Sequence, residues 1–136
     1  MIVLRRVFVL LLIIMALITG STYVRPIDVT ANLNVLHYQA TETWWSGDWQ
    51  LQQYAQAHAD RLAEEDALYH SSLIEAPGDY VLYGENVGMG PSVGAIIQGF
   101  LDSPTHLENI TDPFTHVGVG VAERDGKVWI VMVVAR

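Results

Sequence analysis

Apolar side chains recur at helical intervals along two stretches in the first half of the chain. The weaker stretch, residues 31–40, carries Leu33, Leu36, His37 and Ala40. The stronger stretch, residues 49–66, carries Leu51, Ala55, His58, Ala59 and Leu62. Steps of three and four residues place side chains on one face of a helix. The sequence therefore predicts two helices, the second capped by Asp48, whose carboxylate can accept hydrogen bonds from the first turn.

Two further helices are predicted in the second half of the chain. The first follows Ser92 as its cap and buries a face made of Val93, Ile96, Ile97, Phe100 and Leu101. The second starts at Ser103-Pro104, with Ser103 as cap and Pro104 at the first helical position, where its missing N–H costs nothing. His106 and Ile110 share one side of this short helix.

The strands are predicted from alternation and from turn residues. Residues 80–83 form a short strand, after which Gly88, Gly90 and Pro91 are expected to interrupt the chain. Residues 117–122 and 128–134 form a hairpin around an Asp-Gly turn. The last strand is too apolar to have a solvated face, so helices should cover both faces of the sheet. This order of elements predicts an α+β fold, a three-layer α-β-α sandwich.

The first 24 residues have the pattern of an export segment. Arg5 and Arg6 precede a run from Val7 to Ile18 without a polar side chain. The run is shorter than the roughly 20 residues of a membrane span, but continuing it to Val24 nearly reaches that length. Residues 1–24 are predicted to be a cleaved signal peptide or a membrane anchor, residues 25–30 a linker and residues 31–136 the folded domain. The domain would be secreted or held outside the cytoplasm by a membrane anchor.

Charge and cysteine content exclude several functions. Beyond residue 20 the chain has five basic and fifteen acidic residues, a formal charge of −10. This balance argues against nucleic acid as a partner, and it disfavours attraction to anionic lipid headgroups. The chain has no cysteine, which rules out disulfides, thiol catalysis and thiolate zinc sites.

Three stretches, in their order and spacing, resemble the CAP superfamily of SCP-like, pathogenesis-related and cysteine-rich secretory proteins, in particular its small bacterial exported members. The first stretch is the helix of residues 51–62 leading to Leu68-Tyr69-His70-Ser71, the second is Gly84-Glu85-Asn86-Val87, and the third runs from Phe100 to Ile110 and on to Val117-Gly118-Val119-Gly120. The resemblance covers about residues 34–134 and implies an α-β-α sandwich with a central cleft.

In many CAP proteins this cleft is lined by two histidines and two acidic residues and can hold a divalent metal. The resemblance places the histidines at His70 and His106 and one acidic residue at Glu85, which makes these three the candidate metal ligands. Asn86 and Ser103 are the other candidate cleft residues.

This chain departs from the family pattern at two positions. Ser103 stands where the second acidic residue is expected, and the neighbouring Asp102 would point about 100° away around a helix. His37 lies near the place where an arginine usually follows Asn34.

The cleft leaves three functions open. It could bind zinc, another divalent cation or a small ligand in a binding module at the cell envelope, because imidazole and carboxylate are zinc ligands. It could instead serve a metal-assisted hydrolase acting on an extracytoplasmic substrate, with Glu85 as general base. In the third interpretation it is vestigial, and the protein is a surface interaction protein. The partner would be a small ligand or an envelope component, together with the membrane if residues 1–24 are retained.

The remaining histidines and tryptophans are assigned to structure. His58 is expected to be a hydrogen-bonded core residue and His116 a rim residue. Trp44, Trp45 and Trp49 are expected to form a partly buried cluster at the helix junction or, if exposed, to rest at a membrane interface.

Overall fold

The computed structural model describes residues 25–136, so the predicted export segment lies outside it. The elements in chain order are helix α1 (Pro26–Thr41), strand β1 (Ser46–Gly47), helix α2 (Trp49–Glu65), a 3-10 turn (Leu73–Glu75), strand β2 (Tyr83–Gly90), helices α3 (Val93–Asp102) and α4 (Pro104–Thr111), and strands β3 (His116–Arg124) and β4 (Lys127–Ala135). Within these residues no helix is both long and apolar enough to cross a bilayer.

Two of the predicted helix caps are confirmed. Asp48 Oδ1 accepts the Leu51 N–H at 3.0 Å, and Ser92 Oγ accepts the Ala95 N–H at 3.2 Å. Ser103 occupies the N-cap position of α4, as predicted, but its side chain makes no capping bond. Pro104 still starts that helix, since its fixed φ suits the first helical position.

Two predicted boundaries are wrong. Helix α1 begins at Pro26, so residues 26–30 form its first turn and are not a linker. Strand β2 continues through Gly88 and Gly90, which were expected to interrupt the chain. The absence of a side chain at Gly88 is what lets the strand continue, because a Cβ there would collide with Ile96 and Phe100 of α3.

The four strands form one sheet in the order β1-β3-β4-β2. Strand β4 is antiparallel to both neighbours, and Val133 pairs with Gly118 on one side and with Glu85 on the other. The two-residue β1 runs parallel to β3 at Ser46 and His116. Strand β2 is therefore an edge strand. The loop that carries His70 and Ser71 contacts the sheet at this edge.

Helices cover both faces of the sheet, which confirms the predicted α+β three-layer sandwich. On one face, apolar side chains of α1, α3 and α4 pack on β3 and β4, among them Leu33, Ile97, Ile110, Val119 and Met132. On the other face, α2 packs on the opposite side of β4, with Leu51, Leu62, Trp129, Val131 and Val133 in contact. Alternate residues of β4 thus serve two separate cores, which explains its nearly unbroken apolar sequence.

Helix α2 lies directly on the backbone of β3. A Cβ at Gly118 would overlap the backbone of Leu51 and Gln52, and one at Gly120 would overlap that of Ala55. The alternation of valine and glycine in β3 follows from this contact, because the valines fill one core while the glycines admit the helix on the other face.

A side chain of α2 also pairs with the outer edge of β3. Gln56 Nε2 donates to the Val121 carbonyl at 2.7 Å, and Gln56 Oε1 accepts the Val121 N–H at 3.0 Å. The amide thereby makes the two hydrogen bonds that a residue of a neighbouring strand would make.

Candidate functional site

The centre of the candidate site is the buried carboxylate of Glu85 on edge strand β2. Its Oε1 accepts the Ser71 N–H at 2.9 Å and lies 2.7 Å from His70 Nδ1. Its Oε2 accepts the Ser71 hydroxyl. Three protein donors therefore satisfy a side chain that is only 1% exposed, as a buried carboxylate requires.

His70 is the exposed member of this group, with 61% of its side chain accessible. Its loop is fixed on both sides of the residue, since the Tyr69 carbonyl accepts from His58 Nε2 and the Ser72 carbonyl accepts from Tyr54 Oη. Glu85 engages Nδ1. Within residues 25–136, Nε2 has no hydrogen-bond partner, so it is the atom that the site presents outward.

His106 is brought close to His70 by helix α4. It is half-buried, and its ring centroid lies 5.3 Å from that of Phe100. Burial lowers the pKa of His106, and the nearby charge of His70 lowers it further. His106 is therefore biased toward the neutral imidazole, which is the form that accepts a hydrogen bond or binds a metal.

Asn86 is fully buried and holds the site together from behind. Its Nδ2 donates to the His106 carbonyl at 2.9 Å, and its Oδ1 accepts from Asn109 Nδ2 at 2.8 Å. Asn109 Nδ2 also lies 3.2 Å from the Glu85 carbonyl. These bonds tie β2 to α4, so Asn86 sets the relative position of Glu85 and His106 from a buried position.

Ser103 is not joined to these residues. It lies at the junction of α3 and α4, where its Oγ is 3.4 Å from Thr105 Oγ1. In the described part of the chain it makes no hydrogen bond to His70, Glu85 or His106. The structure thus brings His70 and Glu85 into contact, with His106 nearby. Asn86 is buried beneath them and bonds the His106 carbonyl, and the Ser103 side chain bonds none of the three.

The metal-ligand set of His70, Glu85 and His106 stays a prediction. Among residues 25–136 no three histidine, aspartate or glutamate side chains converge in a way that could hold a metal ion. The oxygens of Glu85 are buried and already accept from three donors. Its geometry is that of an orienting partner, which fixes the tautomer and direction of a histidine. The donors left to a metal are His70 and His106.

Two residues of the site were missed from the sequence. Ser71 supplies two of the three donors to Glu85, and its only sequence signal is its place directly after His70. Asn109 follows His106 by three residues, a spacing that puts both on one side of α4. Neither signal indicates by itself which partner the side chain meets.

The other histidines are structural. His58 is a core residue, as predicted, although its Nδ1 has no partner and only Nε2 is bonded. His116 is half-buried at the rim, as expected, with its ring centroid 5.0 Å from that of Tyr80. His37 is fully buried, with Nδ1 2.8 Å from the Ile110 carbonyl and its ring stacked on Trp45.

The rim near His116 also contains a tyrosine–carboxylate pair. Tyr80 Oη donates to Asp48 Oδ2 at 2.6 Å. Burial and this bond raise the pKa of Tyr80 to about 12. Tyr80 is therefore protonated at every physiological pH and acts as a donor that fastens the loop before β2 to the start of α2.

The expected tryptophan cluster is not formed as a unit. Trp45 is buried against His37, whereas Trp44 and Trp49 are exposed. Trp44 stacks instead on Tyr38, with ring centroids 4.3 Å apart.

Solved structures with the same fold come from bacteria and a parasitic worm. An outer surface protein from Borrelia burgdorferi aligns with a TM-score of 0.70 and 16% identity, covering 79% of this chain and 89% of that one. An extracellular protein containing an SCP domain from Bacillus anthracis aligns with a TM-score of 0.68 and 21% identity, covering 85% of this chain and 45% of that one. A venom allergen-like protein from Schistosoma mansoni aligns with a TM-score of 0.64 and 14% identity, covering 79% of this chain and 87% of that one.

These similarities establish the fold, and the sequence establishes the family. Among curated protein sequences, none matches the chain. The sequence profile described as "CAP: Cysteine-rich secretory protein family" matches residues 45–134, which include His70, Glu85 and His106. The profile covers most of the chain and agrees with the three-layer sandwich, so the chain belongs to the cysteine-rich secretory protein (CAP) family.

Proposed function

We propose that this protein is an extracytoplasmic binding module whose cleft holds a divalent cation, zinc first among them, through Nε2 of His70. The observation that carries the proposal is the pairing of an exposed imidazole with a buried, fully bonded carboxylate. His106 supplies a second imidazole. Glu85 orients His70 and does not touch the cation.

The energetics of the pair support this assignment. Burying a carboxylate is costly unless it is bonded, and here the His70 loop and Ser71 supply the bonds. When Nδ1–H donates to Glu85, the lone pair of Nε2 points away from the protein. A carboxylate behind a histidine in this way is the usual surrounding of a metal-binding imidazole.

Two imidazoles without a carboxylate ligand imply modest affinity. Structural zinc sites use four protein ligands and catalytic sites three. With two, the remaining positions would be filled by water or by groups of a small ligand, and a dissociation constant of about 10⁻⁶ M, or roughly −8 kcal/mol, is the range to test. The same open positions would let an envelope component bind through the cation.

Zinc titration calorimetry on the full chain in mild detergent tests the proposal. Wild type should bind one zinc ion, and His70→Ala and His106→Ala should each remove most of the binding heat. His116→Ala is the matched control, because His116 is a half-buried rim histidine outside the pair, and it should bind as wild type does. Affinity should fall as the pH drops from 7.5 to 5.5, because a proton competes with the cation for the imidazole nitrogen.

Two results would contradict the proposal. If wild type binds no zinc or other divalent cation, the cleft is vestigial and the protein is a surface interaction protein. If zinc binding survives the combined loss of His70 and His106, the cation lies elsewhere.

A further inference from the structure

Helix α1 is apolar on two opposite faces. Its inner face packs into the core through Val29, Leu33, Leu36 and His37. A second set of apolar side chains follows at steps of four, four and three residues, of which Ile27, Ala31 and Tyr38 are exposed and Val35 is half-buried. Ile27 is 65% exposed and Tyr38 40% exposed. The outer face of a helix on a protein surface is normally polar, so this face calls for a partner.

The outward set continues beyond the end of α1, and the surface around it carries almost no net charge. Trp44, 58% exposed, stacks on Tyr38 and extends the row; we call these five residues the outer stripe. Residues 29–41 contain no charged side chain. At the start of the helix the charge of Asp28 is neutralised by Arg25, whose Nη2 lies 2.9 Å from Asp28 Oδ1. Glu42 is the single acidic residue at the far end of the stripe.

We infer that the outer stripe rests on the surface of the membrane in which residues 1–24 are anchored. The inference rests on the extracytoplasmic placement proposed above, with residues 1–24 retained as an anchor, and does not depend on cation binding in the cleft. The chemistry of the partner is a lipid headgroup interface. Tyrosine and tryptophan favour this environment because one end of each ring system is apolar and the other polar.

The short connection to the anchor keeps helix α1 close to the bilayer. With residues 1–24 as the anchor, Arg25 is the only residue between the anchor and Pro26, the first residue of α1. Helix α1 has 16 residues and is therefore about 24 Å long. A helix held this close to the bilayer can lie flat on it, with its inner face toward the domain core and its outer face toward lipid. The acidic surplus of the domain favours zwitterionic over anionic lipid.

Site-directed spin labelling tests the contact directly, because the chain has no native cysteine. The full chain is reconstituted into phosphatidylcholine vesicles with a nitroxide at Ala31→Cys, on the outer stripe, or at Ile74→Cys. Ile74 is 98% exposed and follows Leu73, which packs in the α2 layer on the opposite face of the sheet. We expect the ratio of oxygen to nickel-chelate accessibility to be several-fold higher at position 31 than at position 74.

The aromatic pair should be responsible for the contact. Tyr38→Ser combined with Trp44→Ser should lower the ratio at position 31 to that at position 74. Trp49→Ser removes a tryptophan that is exposed but does not belong to the outer stripe, and it should leave the ratio unchanged. Melting temperatures of all variants verify that the domain remains folded.

Four results would overturn the inference. The first is an equal ratio of oxygen to nickel-chelate accessibility at positions 31 and 74. The second is a high ratio at position 31 that survives loss of both Tyr38 and Trp44. The third is spin–spin broadening at position 31 that disappears on dilution with unlabelled chain, which would place a second copy on the stripe. The fourth is failure of the chain to float with the vesicles. None of these readouts involves zinc, so failure here is distinct from failure of the cleft proposal.

Discussion

His70 Nδ1 lies 2.7 Å from Glu85 Oε1, and of the two side chains only the histidine reaches solvent. The contact links the loop after α2 to the edge strand of the sheet. It gives the carboxylate a structural role, because Ser71 and His70 together satisfy charge that would otherwise be buried alone.

Replacing Glu85 by glutamine should destabilise the domain. In glutamine an NH2 group replaces one carboxylate oxygen and the negative charge is lost, so the charge-assisted bonds from Ser71 and His70 are weakened or broken in a buried site. We expect the free energy of unfolding to fall by about 1–3 kcal/mol in urea denaturation. Glu75→Gln is the matched control, because Glu75 is exposed in the 3-10 turn, and it should change stability by less than about 0.5 kcal/mol. An unchanged midpoint for Glu85→Gln would mean that the carboxylate is not structurally bonded.

No side chain should fit at Gly118 of β3, because helix α2 lies directly against the strand there. Its Cβ would overlap the backbone of Leu51 and Gln52, which cannot rotate away as a side chain can. Gly118→Ala should therefore cost at least the roughly 1–3 kcal/mol of an overpacked core. Gly99→Ala, in an exposed and open position on α3, should raise stability by about 0.5–1 kcal/mol. Equal effects of the two changes in urea denaturation would contradict the described contact between α2 and β3.

Local signals predicted much of this fold, and non-local contacts account for what was missed. The caps at Asp48 and Ser92 and the Asp125-Gly126 turn depend on a few neighbouring residues, and all three are found. The extent of β2 was missed because its glycines resemble a loop. They are strand residues only because β4 pairs with them and α3 fills the space above Gly88.

The candidate site was also predicted only in part, and the missed part again depends on non-local contacts. The family resemblance identified His70, Glu85 and His106 as cleft residues, and the structure brings His70 and Glu85 into contact with His106 nearby. It could not indicate that Ser71 would saturate the carboxylate, since that depends on how the loop after α2 turns back to the sheet. The role of Asn86 was likewise not visible, because its partners lie on α4, about 20 residues further along the chain.

Buried His37 should make stability depend on pH. Burial lowers the pKa of His37 below its ordinary value of 6.5, although the bond to the Ile110 carbonyl acts in the opposite direction. As the pH falls, the unfolded chain takes up the proton first. The contribution of neutral His37 is therefore complete above pH 6.5 and is lost as the pH falls toward the lowered pKa, at about 1.4 kcal/mol for each unit of lowering.

Urea denaturation at pH 7.5 and pH 5.0 checks this dependence. This window lies above the ordinary pKa of carboxyl groups, so histidines dominate it. His37→Asn keeps a donor toward the Ile110 carbonyl but does not titrate, and it should lose less stability than wild type between the two pH values. His106 acts in the same direction and should leave a residual dependence. A variant whose loss equals that of wild type would exclude His37 as a source.

Residues 1–30 should direct export. Fused to a reporter that is active only outside the cytoplasm, they should give activity because Arg5-Arg6 and the apolar run have the order of an export signal. Replacing Leu11 and Leu12 by aspartate should abolish the activity, since charge in the apolar run opposes insertion. A well-expressed but inactive wild-type fusion would contradict the proposed location.

The amide of Gln56 closes one border of the sheet without adding a strand. Strand β1 covers only the first two residues of β3, and beyond them an unpaired N–H and carbonyl could recruit an extended segment from another molecule. Gln56 occupies both groups of Val121, so an intruding chain would have to displace two hydrogen bonds already made. One side chain on a helix thus occupies two backbone groups at this border of the sheet that an incoming strand would need.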